Sequence, residues 1–444
     1  MKVAMVTHHF PPKYNAGAEQ YAYRVAKMLL KMGHQVEVVT VEAINSGTLD
    51  PVCEMEEYHD IPVHRLFFNL ELAPNPLEIL FRNPYLGQWV KEYLDRSNPD
   101  IVHFNSGYLI GGTVIEAAHE VGIPSVLTLH EYWFLCPTHT LIRPDGKICE
   151  TLCEPARCAW CYLSGKRRYR LSDQFTGGKL GDLVVELSQS GKAARLTGLQ
   201  PTMEVIEERR KYLKSVLKKV DVVLSPSRFL IQKFHEFGFN EKEILYLPFG
   251  LDITNLNPGS NNSSSETLRI GYMGQYANHK GVHILVEAFK SLDQSKRKCK
   301  LILYGKLSDN DVYGKRLLKS IHGREDIVYA GQYDNTRVGE VLDGVDLIVV
   351  PSIWFENRPT IIVEALAMKT PVVASRIGGI VELVGDERNG LLFEPGNVAM
   401  LTRQLQRFLD DPNFQPRLRD GIQPVIRAED EMQKLVEMYF SLLN

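Results

Sequence analysis

Long apolar runs are missing from this sequence. No stretch reaches the roughly 18 consecutive apolar residues that a membrane-crossing helix needs, so no such span is expected. An excess of positive charge is missing too: 51 Lys and Arg stand against 54 Asp and Glu, for a net charge of -3. Coating nucleic acid requires a dominant positive field, so no nucleic-acid partner is expected. Cysteine is scarce and odd in number, seven in 444 residues, which argues against a disulfide framework. Nor does the opening MKVAMVTHHF resemble a charged-then-apolar leader; it reads straight into a strand, and the expected location is cytoplasmic.

What is present is an ordinary globular composition, 44% hydrophobic and 24% charged, in a chain long enough for two domains of about 150 residues or more. Short β-branched runs alternate with amphipathic stretches from the start: Val3 to Val6, a helical pattern from Gly17 to Lys31, then Gln35 to Val41. This alternation predicts βαβ units and parallel sheets, an α/β class. Further strands are expected at Ile61 to Leu66, Asp100 to His103, Ser125 to Leu129, Asp221 to Leu224 and Ile244 to Leu247. A polar, turn-rich segment, Asn257 to Ser265, reads as the connection to a second series with strands at 268–273, 301–304, 327–330, 346–350 and 371–374. The predicted domains are 1–256 and 257–428, with a last helix over 429–444 packing back on the first domain. Between Cys136 and Lys219 no strand pattern appears, and this stretch of about 136–219 reads as an insertion.

Loops after parallel strands are where α/β domains bind ligands. The richest follows the strand ending at Val350: Pro351-Ser352-Ile353-Trp354-Phe355-Glu356-Asn357-Arg358-Pro359-Thr360-Ile361-Ile362-Val363-Glu364. Pro359 suits a helix start, and free N–H groups there favour phosphate. Glu356 and Glu364, eight apart, are acceptor-only carboxylates that suit hydroxyls at two places on one extended ligand. A solvated loop Glu and a salt-bridged helix Glu are the plainer alternative.

The W-x-E-N-x-P run with its E-x(7)-E spacing resembles the retaining glycosyltransferases of family 4, which have the GT-B fold: two Rossmann-like domains with parallel sheets facing across a cleft. The resemblance extends over nearly the whole chain. It implies that Glu356 contacts a donor sugar and Glu364 the ribose of its nucleotide, with Asn357, Pro359 and Thr360 beside the donor. His9-Phe10-Pro11-Pro12 followed by Gly17-Ala18-Glu19 resembles the family loop whose backbone approaches the diphosphate, which assigns Gly17 and Ala18 to that contact. Gly274-Gln275-Tyr276-Ala277-Asn278-His279-Lys280-Gly281 resembles the family's G-R-(x)4-K-G loop. Lys280 would then neutralise the departing diphosphate. Gln275 stands where the family has Arg; an amide donates a hydrogen bond but supplies no charge, which leaves more of the load on Lys280. His130, at the end of a predicted strand, resembles the histidine near the donor sugar. Gly378, Gly379 and Glu382 resemble a Gly-Gly-x-x-Glu turn near the pyrophosphate, and Asn389 to Phe393 the turn after it.

These matches imply transfer of a hexose, with retention, from a UDP- or GDP-sugar to a glycan or lipid-linked acceptor in cell-surface polysaccharide or glycoconjugate synthesis. The nucleotide sugar is a substrate, so no catalytic cofactor is expected. Two other classes stay open: an epimerase or phosphorylase-like enzyme on the same fold, and an inactive nucleotide-sugar-binding scaffold. Cys149, Cys153, Cys158 and Cys161 follow C-x(3)-C-x(4)-C-x(2)-C, so a structural zinc and a set of free thiols are both open readings. Next to them, Lys166-Arg167-Arg168-Tyr169-Arg170 is either a solvated face or a peripheral contact with anionic lipid heads at the cytoplasmic membrane face.

Overall fold

The computed structural model describes residues 1–165, 176, 178–188, 197–254, 256, 266–307 and 311–444. The chain divides into two compact units, Met1–Leu247 with Met432–Asn444, and Pro248–Glu431. The basic run Lys166 to Arg170 and the polar connection Asn257 to Ser265 lie outside the described residues. Among the described residues no helix is long and apolar enough to cross a membrane.

The first unit is built on an eight-stranded sheet: β1 (Lys2–Thr7), β2 (Gln35–Ala43), β3 (Val52–Tyr58), β4 (Ile61–Phe67), β5 (Ile101–Asn105), β6 (Ser125–Thr128), β7 (Val222–Ser225) and β8 (Ile244–Tyr246). Their spatial order is β3-β4-β2-β1-β5-β6-β7-β8. All pairings are parallel except β3 with β4. The central strands are apolar almost without interruption because parallel strands are covered on both faces. In β5 every residue is buried, and in β1 only Lys2 escapes.

Helices form where the 3.6-residue apolar stripe meets a start signal. Over Gly17–Lys31, Tyr21, Ala22, Val25, Ala26 and Leu29 make one buried face. Over Pro84–Ser97, the Asn83 side chain accepts from Leu86 N, proline occupies the first position, and Asn98 ends the helix at φ 43°. The expected insertion carries helices Pro155–Ser164, Lys179–Ser188 and Gln200–Lys219. In the C-terminal helix Ala428–Leu443, Tyr439 is fully buried in the first unit. Its hydroxyl lies 2.5 Å from Nδ1 of His103 on β5, and His103 Nε2 lies 2.7 Å from Thr128 Oγ1 on β6.

The second unit carries a six-stranded, all-parallel sheet: β9 (Leu268–Met273), β10 (Cys299–Tyr304), β11 (Ile327–Gly331), β12 (Leu347–Val350), β13 (Val372–Ser375) and β14 (Gly390–Phe393), in the order β11-β10-β9-β12-β13-β14. Its core joins the strands to helices Val282–Lys290 and Val398–Asp410 through Leu285, Phe289, Leu405 and Phe408. β9 and β12 are neighbours at the centre, and β9 and β10 run outward from there while β13 and β14 run the other way. Strand order therefore reverses between β9 and β12, the place where open α/β sheets leave a crevice.

One expectation is corrected here. Gly390 to Phe393, read as part of a turn, is a buried edge strand paired with β13. Asn-Gly reads locally as a turn, but the Leu-Leu-Phe that follows is too apolar to stay outside the core. A Cβ on Gly390 would meet the Val372 carbonyl at 2.1 Å, so glycine is needed for that strand to begin there.

Candidate functional site

In the second unit, two loops leave the carboxyl ends of β9 and β12 and are tied to each other. After β9 the chain runs through Gly274 and Gln275 to a 3-10 turn, Asn278–Lys280, and then Gly281 at φ +71°. A Cβ on Gly281 would sit 1.9 Å from the Pro351 carbonyl, so only glycine permits this approach to the β12 loop. Ile353 N donates to His279 O at 2.8 Å and closes the contact.

The result is a buried ion pair. Lys280 Nζ donates to Glu356 Oε1 at 2.8 Å, and the same oxygen accepts from Ser352 Oγ at 2.7 Å and Trp354 Nε1 at 2.8 Å. The ammonium also lies 4.8 Å from the centre of the Trp354 ring, within cation–π range. Burial pushes the Glu356 carboxyl up, but the Lys280 charge and these three hydrogen bonds outweigh it and hold the group below its usual value. Glu356 is therefore ionised. Three donors crowd Oε1, while Oε2 carries no hydrogen bond among the described residues.

The backbone of Glu356 is fixed as firmly as its side chain. Gly379 N donates to Glu356 O at 2.7 Å. Gly378, at φ +59°, packs so closely that a Cβ would meet that carbonyl at 2.3 Å. The paired glycines after β13 thus support the Glu356 loop directly. Ser352 had not been singled out in the sequence; a small hydroxyl four residues before an acid carries no distinctive signal, and only the fold brings it within reach.

Pro359 takes the N-cap position rather than the first helical one, and the helix runs Thr360–Ala367. Ile362 N returns to Pro359 O at 3.1 Å, and Thr360 at the first turn is exposed. Glu364 lies within this helix among buried Ile362, Val363, Ala365 and Leu366. Burial pushes its carboxyl up to about 7. No hydrogen bond or ion pair reaches that carboxylate among the described residues. Tyr333 is close enough to feel its charge, after burial the second influence raising the Tyr333 hydroxyl. Gln275 has an exposed side chain, and its carbonyl accepts from Tyr272 OH at 2.6 Å. Asn357 is partly buried beside Glu356, and Arg358 Nε donates to Phe249 O at 3.2 Å. Glu382 is exposed, in the first turn of the helix that follows Gly379.

In the first unit, Gly17 and Ala18 are the first two residues of helix Gly17–Lys31, Gly17 exposed and Ala18 half-buried. His130 follows β6. Its Nε2 lies 3.4 Å from Asn105 Oδ1, its ring meets Tyr21 edge-on at 4.9 Å, and burial draws it well below the usual imidazole pKa. The ring is neutral at physiological pH. Sequence reasoning passed over the next residue, Glu131, which accepts from Ser106 Oγ and Trp133 N, and whose carboxyl burial raises to about 7.

The cysteines gather in the insertion. Cys149, Cys153, Cys158 and Cys161 are all free and partly buried, and Cys136, from the loop after His130, joins them within electrostatic reach. Cys149 and Cys153 share a thiol–thiol hydrogen bond, which raises the first and lowers the second. Among the described residues, no group of three or more His, Cys, Asp or Glu side chains is set to hold a metal ion.

With this geometry in hand, the chain was compared with known proteins. The family described as "Glycosyl transferases group 1" matches residues 254–423, and "Glycosyltransferase Family 4" matches residues 15–161. The protein of Bacillus subtilis (strain 168) named for teichuronic acid biosynthesis, the glycosyltransferase TuaC, is 24% identical over 98% of this chain and 96% of its own length. Glycogen synthase of Mycobacterium tuberculosis is 27% identical over 93% of this chain and 87% of its own. Among solved structures, sucrose-phosphate synthase from Thermosynechococcus elongatus superposes with a TM-score of 0.68 at 17% identity, covering 99% of this chain and 98% of that one. Anabaena HepE in complex with UDP gives 0.67 at 18%, covering 99% and 100%.

Proposed function

We propose that this chain, which belongs to the glycosyltransferases and has their GT-B fold, transfers a hexosyl group with retention from a UDP- or GDP-sugar to a glycan or lipid-linked acceptor, in polysaccharide or glycoconjugate synthesis. One observation carries the reading. Of two carboxylates eight residues apart, Glu356 is ionised with Oε1 saturated and Oε2 unbonded, and Glu364 has no hydrogen-bond partner at all among the described residues. Acceptor-only groups left in this condition suit hydroxyl donors, and a nucleotide sugar carries hydroxyls on both its sugar and its ribose.

The division of labour follows. Glu364 accepts from the ribose hydroxyls. Glu356 accepts from a hydroxyl of the transferred sugar through Oε2, while Ser352 and Trp354 keep its other oxygen in place. Gly378 and Gly379 let the backbone come close to the diphosphate. In the reaction the bond from the anomeric carbon to the diphosphate oxygen breaks, and negative charge gathers on the leaving group. Lys280, held against Glu356 at rest, stands ready to neutralise that charge. His130, neutral, serves as hydrogen-bond donor to the sugar. Neither acid is assigned as nucleophile, because both arise from one loop and the helix after it, whereas two-carboxylate glycoside chemistry places its acids on either side of the bond.

A panel of UDP-, GDP- and ADP-sugars tested by ligand-induced thermal shift examines this directly, since a binder stabilises the folded chain by mass action. One donor should raise the melting temperature, and Glu364→Ala should abolish that rise. A shift that survives in Glu364→Ala removes the ribose role. The anomeric configuration of the product, read by NMR, decides retention.

A further inference from the structure

Five of the seven cysteines converge in the first unit, and the function proposed above uses none of them. A small hairpin, with Ile142 bridged to Ile148 and Cys149 N bonded to Leu141 O at 2.8 Å, delivers Cys149 to the residues that precede helix Pro155–Ser164. There its thiol meets the sulfur of Cys153 in a hydrogen bond. The three residues between them, Glu150, Thr151 and Leu152, are exposed and belong to neither helix nor strand. Such a segment can adjust to the Cα separation of about 4.4–6.8 Å that a disulfide requires, and a small molecule can reach it. Cys158 and Cys161 differ, since the helix holds them one turn apart.

The charges nearby favour an anionic sulfur at Cys153. Arg143, Arg157 and Arg210 all bear on it. Arg143 is matched by Asp145 at 2.6 Å and Arg157 by Asp182 at 2.8 Å. Arg210 donates instead to the Cys153 carbonyl and, at 3.3 Å, to Cys158 Sγ, and no carboxylate pairs with it among the described residues. A thiol in contact with a second thiol, beside a guanidinium not matched by an acid, is arranged for thiol–disulfide exchange.

We propose that Cys149 and Cys153 form a reversible dithiol–disulfide pair, a modification site for low-molecular-weight disulfides of the glutathione type. The Cys153 thiolate attacks one sulfur of RSSR, giving Cys153–S–S–R and releasing RS⁻, which takes up a proton. Cys149 then gives its proton to solvent and attacks the Cys153 sulfur, forming the Cys149–Cys153 bond and expelling the second RS⁻. In sum, two protein thiols and RSSR become one protein disulfide and two RSH.

The test uses the full chain, purified reduced and without oxygen, then equilibrated with oxidised and reduced glutathione at graded ratios. Free thiols are counted after denaturation, the linked peptide is mapped by mass spectrometry, and bound metal is measured by elemental analysis. The thiol count should fall from seven to five, with one Cys149–Cys153 link that a reductant reverses. Cys149→Ser should accumulate a mixed disulfide on Cys153, and Cys153→Ser should form neither product. Mapping of the unsubstituted chain decides the matter by itself if either variant fails to fold. The proposal is overturned if both thiols stay alkylatable at every ratio, or if a stoichiometric metal must be stripped before either one reacts.

Discussion

Glu364 and Lys280 show how much rests on the surroundings of single residues. Glu364 keeps its proton up to about 7 because its helix buries it among aliphatic side chains. A carboxyl raised in this way binds its proton more tightly folded than unfolded. Its contribution to stability is therefore full below about 4.5 and is lost as pH rises through about 7. Glu364→Gln should flatten part of that decline in urea midpoints measured from acid to neutral pH. Glu131, shifted in the same direction, will retain the rest. Donor binding should run the other way, strengthening as pH rises through this range and the carboxylate forms, and Glu364→Gln should remove that dependence in thermal-shift titrations. For Lys280→Ala, turnover should fall by about 10²- to 10³-fold, the scale on which a single charge-stabilising donor acts. Steady-state rates with the identified donor check this, and near-normal turnover would contradict the leaving-group role.

At the scale of elements, the turn after β13 governs the loop after β12. Gly378→Ala would place a Cβ 2.3 Å from the Glu356 carbonyl at a positive φ that alanine resists. We expect a stability loss of about 1–3 kcal/mol and a larger loss of donor binding, measured by denaturant unfolding and by thermal shift. Much of this was legible in the sequence, because the glycines, the W-x-E-N-x-P run and the helix with Glu364 are local patterns. The register of the Lys280 loop against the β12 loop was not, since the Gly281 to Pro351 approach joins residues seventy apart. β3 escaped notice for a related reason. Val-Cys-Glu-Met-Glu-Glu-Tyr has no apolar alternation, and what holds it is antiparallel pairing with β4 and the Arg65–Glu56 ion pair at an exposed edge. β14 was misread because a two-residue turn signal outweighed only four residues of strand.

Across the whole molecule, separate cores imply separate responses. A nucleotide sugar held by Glu356 and Glu364 should raise the unfolding transition of the Pro248–Glu431 unit, by about 2.7 kcal/mol at a hundredfold excess over its Kd, and leave that of the first unit nearly in place. Calorimetry with and without donor separates the two. The first unit has its own long-range tie, since Tyr439 near the end of the chain bonds His103 deep in its sheet. Burial lowers that imidazole to about 3, so it remains neutral and needs its partner. Tyr439→Phe should cost about 1–3 kcal/mol by leaving a buried nitrogen unsatisfied, seen as a lower unfolding midpoint of the first unit.

The contact between Lys280 and Glu356 also bears on what the resting protein ignores. An ammonium already matched by a carboxylate presents little net field, so a passing sulfate or inorganic phosphate finds no uncompensated cation to attract it there. Such an ion would have to displace an internal counter-ion, and it has no ribose with which to engage Glu364. Discrimination then arises from the requirement that charge and hydroxyls arrive on one molecule, and millimolar simple anions should be poor competitors of the donor.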